Sequence, residues 1–204
     1  MKAASKKTLI AALALAGAAF AVQAQEGPWL VRARAVHLDS VNKDSTGLDL
    51  SINNKTIPEL DISYFFTPNW AAELVLTYPQ KHKLYAGGDK IGTLKHLPPT
   101  LSLQYHFAPN ASFRPYVGAG LNYTRFSGVH FDPAVQAALS PSIKKNSYGL
   151  SLQAGADIAI AKNLYLNVDI KKVQIDTTVY AAGNSVGKFK VDPVLFGVGL
   201  GWRF

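Results

Sequence analysis

The chain has no cysteine, one methionine and only three tryptophans in 204 residues. Without cysteine there is no disulfide framework and no thiolate to hold a metal or attack a substrate. Long apolar runs are also missing after the first segment. Leu9 to Val22 is unbroken, but nothing later approaches the ~20 apolar residues that a membrane-crossing helix needs. Acidic residues are outnumbered, 13 Asp+Glu against 21 Lys+Arg, giving a formal net charge of +8. That excess is scattered along the chain, so nucleic acid is not expected as a partner. Glycines fall inside strand-like stretches and none leads a strand into a helix, which excludes a phosphate-binding loop.

What is present begins with a leader. Lys2, Lys6 and Lys7 precede the apolar run, and Val22-Gln23-Ala24 supplies modest side chains at the positions a signal peptidase reads. This arrangement predicts an exported chain cleaved after Ala24, with residues 1–24 as signal peptide and 25–204 as one domain. An exported domain without disulfides must draw its stability from a core or from a closed hydrogen-bond ladder.

Alternation then dominates. Val194, Phe196, Val198, Leu200, Trp202 and Phe204 are large and apolar, with Gly197, Gly199, Gly201 and Arg203 between them. A period of two is a strand with one greasy face. Seven further stretches repeat it, starting near Trp29, Glu59, Trp70, Leu97, Val117, Tyr148 and Leu164. In the last of these the apolar phase slips at Val173 and Ile175, which predicts a bulge near Lys171-Lys172. Connections alternate as well. Thr67-Pro68-Asn69, 108–112 and 161–163 are short turns, whereas 39–56, 79–92, 127–146 and 179–189 are longer polar loops. In the third loop Asp132-Pro133 predicts a short helix over Ala134 to Leu139. The pattern reads as an all-β, eight-stranded antiparallel transmembrane barrel with short periplasmic turns and long extracellular loops.

A soluble sandwich also alternates, with its apolar face turned inward. The aromatic residues argue for the membrane. Trp29, Trp70 and Trp202 all lie on the apolar phase at the predicted periplasmic end, with Phe66, Phe107 and Phe204 level with them. Tyr78, Tyr123 and Tyr148 mark the other end. Two aromatic belts around a band of Leu, Val, Ile and Ala are what bilayer interfaces select. The opposite face carries Arg32, Arg34, Glu59, Asp61, Glu73, Arg114, Asp157, Asp169, Lys171 and Arg203. An eight-stranded lumen is just wide enough for side chains to fill. Charges walled up there must compensate one another, so no wide aqueous pore is expected through the periplasmic half.

Several segments resemble the OmpW family over essentially the whole exported chain. They are Leu97-Pro98-Pro99-Thr100-Leu101, the run Phe113 to Thr124, Asp176-Thr177-Thr178 and Gly201-Trp202-Arg203-Phe204. The resemblance implies a barrel of the Gram-negative outer membrane with a narrow hydrophobic channel open to the outside. Small hydrophobic molecules or detergent tails would occupy it, and solutes would be released sideways through a gap in the wall. Pro98 and Pro99 suit such a gap, because proline cannot donate to the ladder; a bulge or strand end at the rim explains them equally well. Candidate channel-lining residues are Leu30, Val36, Leu38, Val75, Leu94 and Leu195, with Leu48 and Leu50 above. Lys171-Lys172 stands where some family members carry aromatic channel residues. The terminal Phe204 strand resembles the signal read by the barrel-assembly machinery.

Two other function classes compete. An enzyme acting on lipid A would need Ser, His and a carboxylate within reach of one another. His37-Leu38-Asp39-Ser40 is the nearest approach, and it reads as a strand running into a loop. Neither enzymatic activity nor a cofactor is expected. A plugged structural or adhesive barrel is the other alternative, with Lys81, Lys83, Lys95, Arg125, Lys144, Lys145 and Lys172 available to lipopolysaccharide phosphates. Only His82 and His96 approach a metal-ligating spacing, and no metal site is expected.

Overall fold

The computed structural model describes residues 27–204; the expected signal peptide, 1–24, lies outside them. The elements in chain order are β1 (Trp29–Asp39), β2 (Lys43–Asp44), β3 (Leu50–Ile52), β4 (Lys55–Phe65), β5 (Trp70–Leu76), β6 (Gln80–Ala86), β7 (Asp89–Leu97), β8 (Thr100–His106) and β9 (Phe113–Phe131). Helix α1 (Pro133–Leu139) follows, then β10 (Ser142–Ile143), β11 (Asn146–Ala161), β12 (Leu164–Val173), β13 (Asp176–Ala181), β14 (Asn184–Lys190) and β15 (Val194–Arg203). Eight of the strands close on themselves in the order β1-β4-β5-β8-β9-β11-β12-β15, and β15 pairs with β1 from Arg203 opposite Leu30 to Val194 opposite Asp39. Closure leaves the sheet without a free edge, and the ladders pair the bilayer-level backbone except along one short stretch near the upper rim.

The side chains outside the barrel are those that the alternation marks as greasy. Leu121, Leu150 and Leu152 are more than half exposed, and Leu101, Leu103, Val117, Phe196, Val198 and Leu200 are exposed with them. A band this continuous greatly exceeds the apolar patches that soluble monomers tolerate. Acyl chains cover it. Trp29 and Trp70 are exposed at the periplasmic rim, where their rings pack on Tyr64 and Tyr105 at 4.8 and 4.9 Å; Trp202 is half-buried beside them. At the other rim Tyr123 and Tyr148 pair at 5.2 Å, and Tyr78 is exposed.

Above the tyrosines the wall continues into the outside medium. Here the structure departs from the expected polar loops. Stretch 79–92 is mostly the β6–β7 hairpin, turning at Gly87-Gly88 with positive φ at both residues. Stretch 179–189 is mostly strand, and 39–56 holds β2, β3 and the start of β4. Helix α1 starts at Pro133, with Asp132 in the N-cap position as expected, although its side chain makes no capping bond. The bulge expected at Lys171-Lys172 is not found: β12 keeps register with both neighbours through those residues. Lys171, Val173 and Ile175 all point inward. The side chains do not change phase; their surroundings do. Inside is ionic at bilayer level and apolar above it. The register shift of β11 against β12 lies instead at Ala159/Ala161, by the periplasmic turn.

The wall has one weak seam. The β5–β8 ladder ends at Val75 opposite Thr100, and pairing resumes only at Gln80 opposite His96, between β6 and β7. On the other flank β4 pairs with β5 no higher than Leu60 opposite Leu76. Thr77, Tyr78 and Pro79 therefore have no ladder partner on either side. On the β9 side of the prolines, Asn122 repairs the break by donating from Nδ2 to the carbonyls of Pro98 and Pro99, at 3.3 and 3.1 Å.

Candidate functional site

The lumen is built in layers. At the periplasmic end Leu30, Phe65, Ala71 and Tyr165 form a small apolar cluster. Arg203 stacks over the Phe65 ring at 4.0 Å and Arg114 over Tyr165 at 4.8 Å, and their Nε groups donate to the carbonyls of Gly27 and Ala111. Leu30 thus lies below the charged layer, not in the upper channel where the sequence reading put it. The first inward position of β1 is its periplasmic one.

The next layer up is ionic. Arg32 is fully buried and grips Asp157 with two bonds, Nε to Oδ1 at 2.9 Å and Nη2 to Oδ2 at 2.7 Å. Its Nη1 donates to Asp61 and to Ser63, each at 3.0 Å. Arg34, two residues along the same face of β1, donates to Glu59 at 2.7 Å and stands 3.0 Å from Asp61. Its other terminal nitrogen is 3.7 Å from Asp169. Lys171 reaches Glu73 at 3.2 Å, and Gln104 donates to the other Glu73 oxygen at 2.8 Å. Tyr116 donates to Asp169 at 2.8 Å. Its ring takes the space over Gly155, where a Cβ would come within 2.5 Å of it. Period-two spacing on strands from all around the barrel brings these residues together. Of the predicted network Arg32, Arg34, Glu59, Asp61, Glu73, Asp157 and Asp169 are joined here, Lys171 joins them from the channel list, and Arg114 and Arg203 sit one layer lower.

Charges in such a setting are tolerable only when paired and hydrogen-bonded on most of their atoms. Five cations and five carboxylates, counting both layers, leave the lower lumen formally neutral. Its side chains fill that part of the lumen and present no formal net charge. A concavity of about 640 Å³ beside Phe65, Pro68 and Arg203 is a periplasmic vestibule beneath this floor.

Above the floor the lumen is greasy. Val36, Leu38, Leu50, Leu94 and Leu195, all expected there, join Ile52, Ile57, Leu84, Phe126, Val173, Ile175, Val179, Phe189 and Val191 in one buried cluster. The sequence reading missed the latter group. Their signal was the inversion that looked like a slip of phase at Val173. Leu48 is exposed at the rim rather than lining the channel. Between cluster and floor a void of about 20 Å³, room for about one water, is bounded by Leu38, Val75, His96, Pro98, Lys171 and Leu195 among others. Pro99 is not part of that lining. Thr77 is, so the void abuts the seam in the wall.

Two histidines sit in the greasy layer above the tyrosine belt. His82 and His96 are almost fully buried and stack at 4.6 Å, 13° from parallel. His82 Nδ1 is 3.0 Å from the Asn53 carbonyl, to which it donates in its neutral form, while both ring nitrogens of His96 lack a partner. Burial depresses both pKa values, that of His96 to about 3, and for each the nearby Lys55 ammonium adds to the effect. Histidine, aspartate and glutamate form no cluster of three or more around a metal position among the described residues. His37 bonds Thr56, facing outward.

The chain matches known proteins along its length. The OmpW family profile covers residues 18–204. Outer membrane protein W of Escherichia coli is 37% identical over 214 residues, covering 98% of this chain and all of that one. The crystal structure of the outer membrane protein OprG from Pseudomonas aeruginosa superposes with a TM-score of 0.79 at 26% identity, covering 90% of this chain and 99% of that one. A dibenzothiophene metabolism operon protein, PahQ, also of Pseudomonas aeruginosa, is 26% identical over 198 residues, 89% of this chain and 90% of its own length. With a lipid-facing apolar band, two aromatic belts and a charged, closed floor, the chain is a barrel of the cell outer membrane and belongs to the OmpW family.

Proposed function

We propose that the barrel admits small hydrophobic molecules from the outside and releases them sideways into the membrane, without chemical change. One observation carries this reading: a greasy upper lumen sits on a neutral, filled floor and abuts a stretch of wall with no ladder bonds. A solute dissolved among Leu38, Val75 and Leu195 has no axial exit. Thr77 to Pro79 opposite Leu97 to Pro99 can part without breaking backbone hydrogen bonds, so that is the cheapest opening. Dibenzothiophene, named in the PahQ relative's operon, is an apolar aromatic molecule and of the class such a lumen would dissolve. Lys171 tops the floor, where its ammonium is held by Glu73, and so bounds the apolar path from below without interrupting it.

The test restores the seam. Replacing Pro98-Pro99 by Val-Thr lets the strand continue and pair with 76–79, while the fold is checked by the gel shift that barrels show on heating. Entry of an apolar aromatic into cells carrying this variant should fall to the level of cells lacking the protein. Unchanged entry would rule out the sideways exit. The small size of the void favours one rival reading, a plugged barrel that acts only as an anchor. That reading predicts no difference in entry between cells with and without the wild-type protein.

A further inference from the structure

Just above the tyrosine belt, one side of the barrel presents cations alone. Lys81, Lys83, Lys95 and Arg125 are exposed on the outward face of three neighbouring strands, β6, β7 and β9. Lys81 and Lys95 are direct ladder partners. Lys95 is opposite Ser127 and Leu97 opposite Arg125 in the next ladder. Directly opposed side chains stand ~5 Å apart, and like charges so placed destabilise a strand pair. Among the described residues none of the four makes an ion pair; the hairpin's salt bridge, Lys90 to Asp132 at 3.9 Å, is at its tip. A register shift between Thr93 and Lys95 faces Gly128, whose φ is 52°, and the Lys95 stem runs beside that glycine. Bulges of this kind re-aim a side chain.

The far side of the mouth is different. There Lys190 has a like neighbour, Lys43 across β14–β2, but also an acidic one, Asp176 across β13–β14, and Lys172 donates to the Asp192 carbonyl. Lys172 therefore does not belong with the other cations that the sequence reading grouped with it. Height settles what meets the unpaired group. Arg125 lies two residues beyond Tyr123 on β9, about 5 Å above the belt for a tilted strand, in the plane of lipid headgroups.

We propose that this face binds the phosphates of an anionic glycolipid of the outer leaflet, of the lipid A type. Two phosphates on one rigid disaccharide match a cationic patch about three strands, or ~10 Å, wide. Arg125 can clamp a phosphate through two bonds, and the lysines add point charges. The acyl chains then lie along the exposed leucines below. The assignment stands whether or not the lumen conducts.

The test uses the full chain in neutral detergent, with heat-shift gels confirming the fold of each variant. Binding of bisphosphorylated lipid A, monophosphorylated lipid A and inorganic phosphate is measured by native mass spectrometry and by titration at two salt concentrations. The bisphosphorylated lipid should bind at least about ten-fold more tightly than the monophosphorylated one, weakening with salt. Lys81→Gln, Lys95→Gln and Arg125→Gln combined should weaken it about ten-fold or more, while Lys43→Gln with Lys188→Gln leaves it within about two-fold. Equal loss in the two sets, or no loss in the first, overturns the site. Inorganic phosphate binding as tightly as the lipid would overturn the lipid assignment.

Discussion

The same barrel wall is organised in opposite ways at its two levels. Within the bilayer the outward positions are Leu, Val and Phe and the inward ones Arg, Asp and Glu. Above it the outward positions of β6 are Lys81 and Lys83 and the inward ones His82 and Leu84. The backbone geometry is identical, so the difference is imposed by solvent. Hydrocarbon outside requires grease outside and leaves a narrow lumen for charges that neutralise each other. Water outside reverses both. A strand crossing from one level to the other keeps its period and inverts its polarity, as β12 does between Asp169 and Val173.

The largest break in this comparison should come from Arg32. Arg32→Ala strips Asp157 and Asp61 of their main partner and leaves buried carboxylates uncompensated, for a loss of about 3–5 kcal/mol. Reversible urea unfolding in lipid vesicles would measure it, and Asp157→Asn in the same chain should recover part of the loss. Removing a cation from the upper exterior, as in Lys83→Ala, should change stability by less than ~0.5 kcal/mol.

A pair of substitutions on one strand places the boundary directly. Leu121→Arg puts a charge against acyl chains, between midplane and belt, and should cost about 1–2 kcal/mol. Ser127→Arg, six residues on and also outward, meets water and should cost close to nothing. Similar costs at both sites would mean that the hydrocarbon band reaches higher than the tyrosines.

Much of this arrangement was legible in the sequence. Eight apolar-outside strands, the short turns, the aromatic belts and most of the ionic layer follow from period-two spacing, because lipid fixes one face absolutely. The upper lumen was harder to read. Residues such as Val179, Phe189 and Val191 lie among lysines, glycines and asparagines, and nothing local tells whether an apolar side chain there faces inward. Leu30 was misplaced for a related reason: alternation gives the face of a strand but not the depth along it. Pairings across the barrel, such as Arg32 with Asp157, span 125 positions and need the closed register to be seen.

A local effect, confined to the upper level, should come from acid. The depressed pKa values of His82 and His96 mean that the folded hairpin holds neutral imidazoles. Their contribution is complete above the ordinary value of 6.5 and is lost as pH falls toward about 3. Hydrogen exchange should therefore quicken in residues 80–97 between pH 6.5 and 4 while the bilayer-level strands stay protected. His82→Gln with His96→Gln should flatten that dependence. Acid loosening spread evenly over the barrel would mean that the two levels are not separate folding units.

The neutral floor also bears on how much of this protein a cell can carry. Under the proposed function Arg32, Arg34 and Lys171, locked to their carboxylates, close the barrel to salt, sugars and hydrophilic toxins alike. Copy number and envelope leakiness are thereby uncoupled. A bacterium can fill its surface with such barrels and remain as impermeable to polar poisons as before.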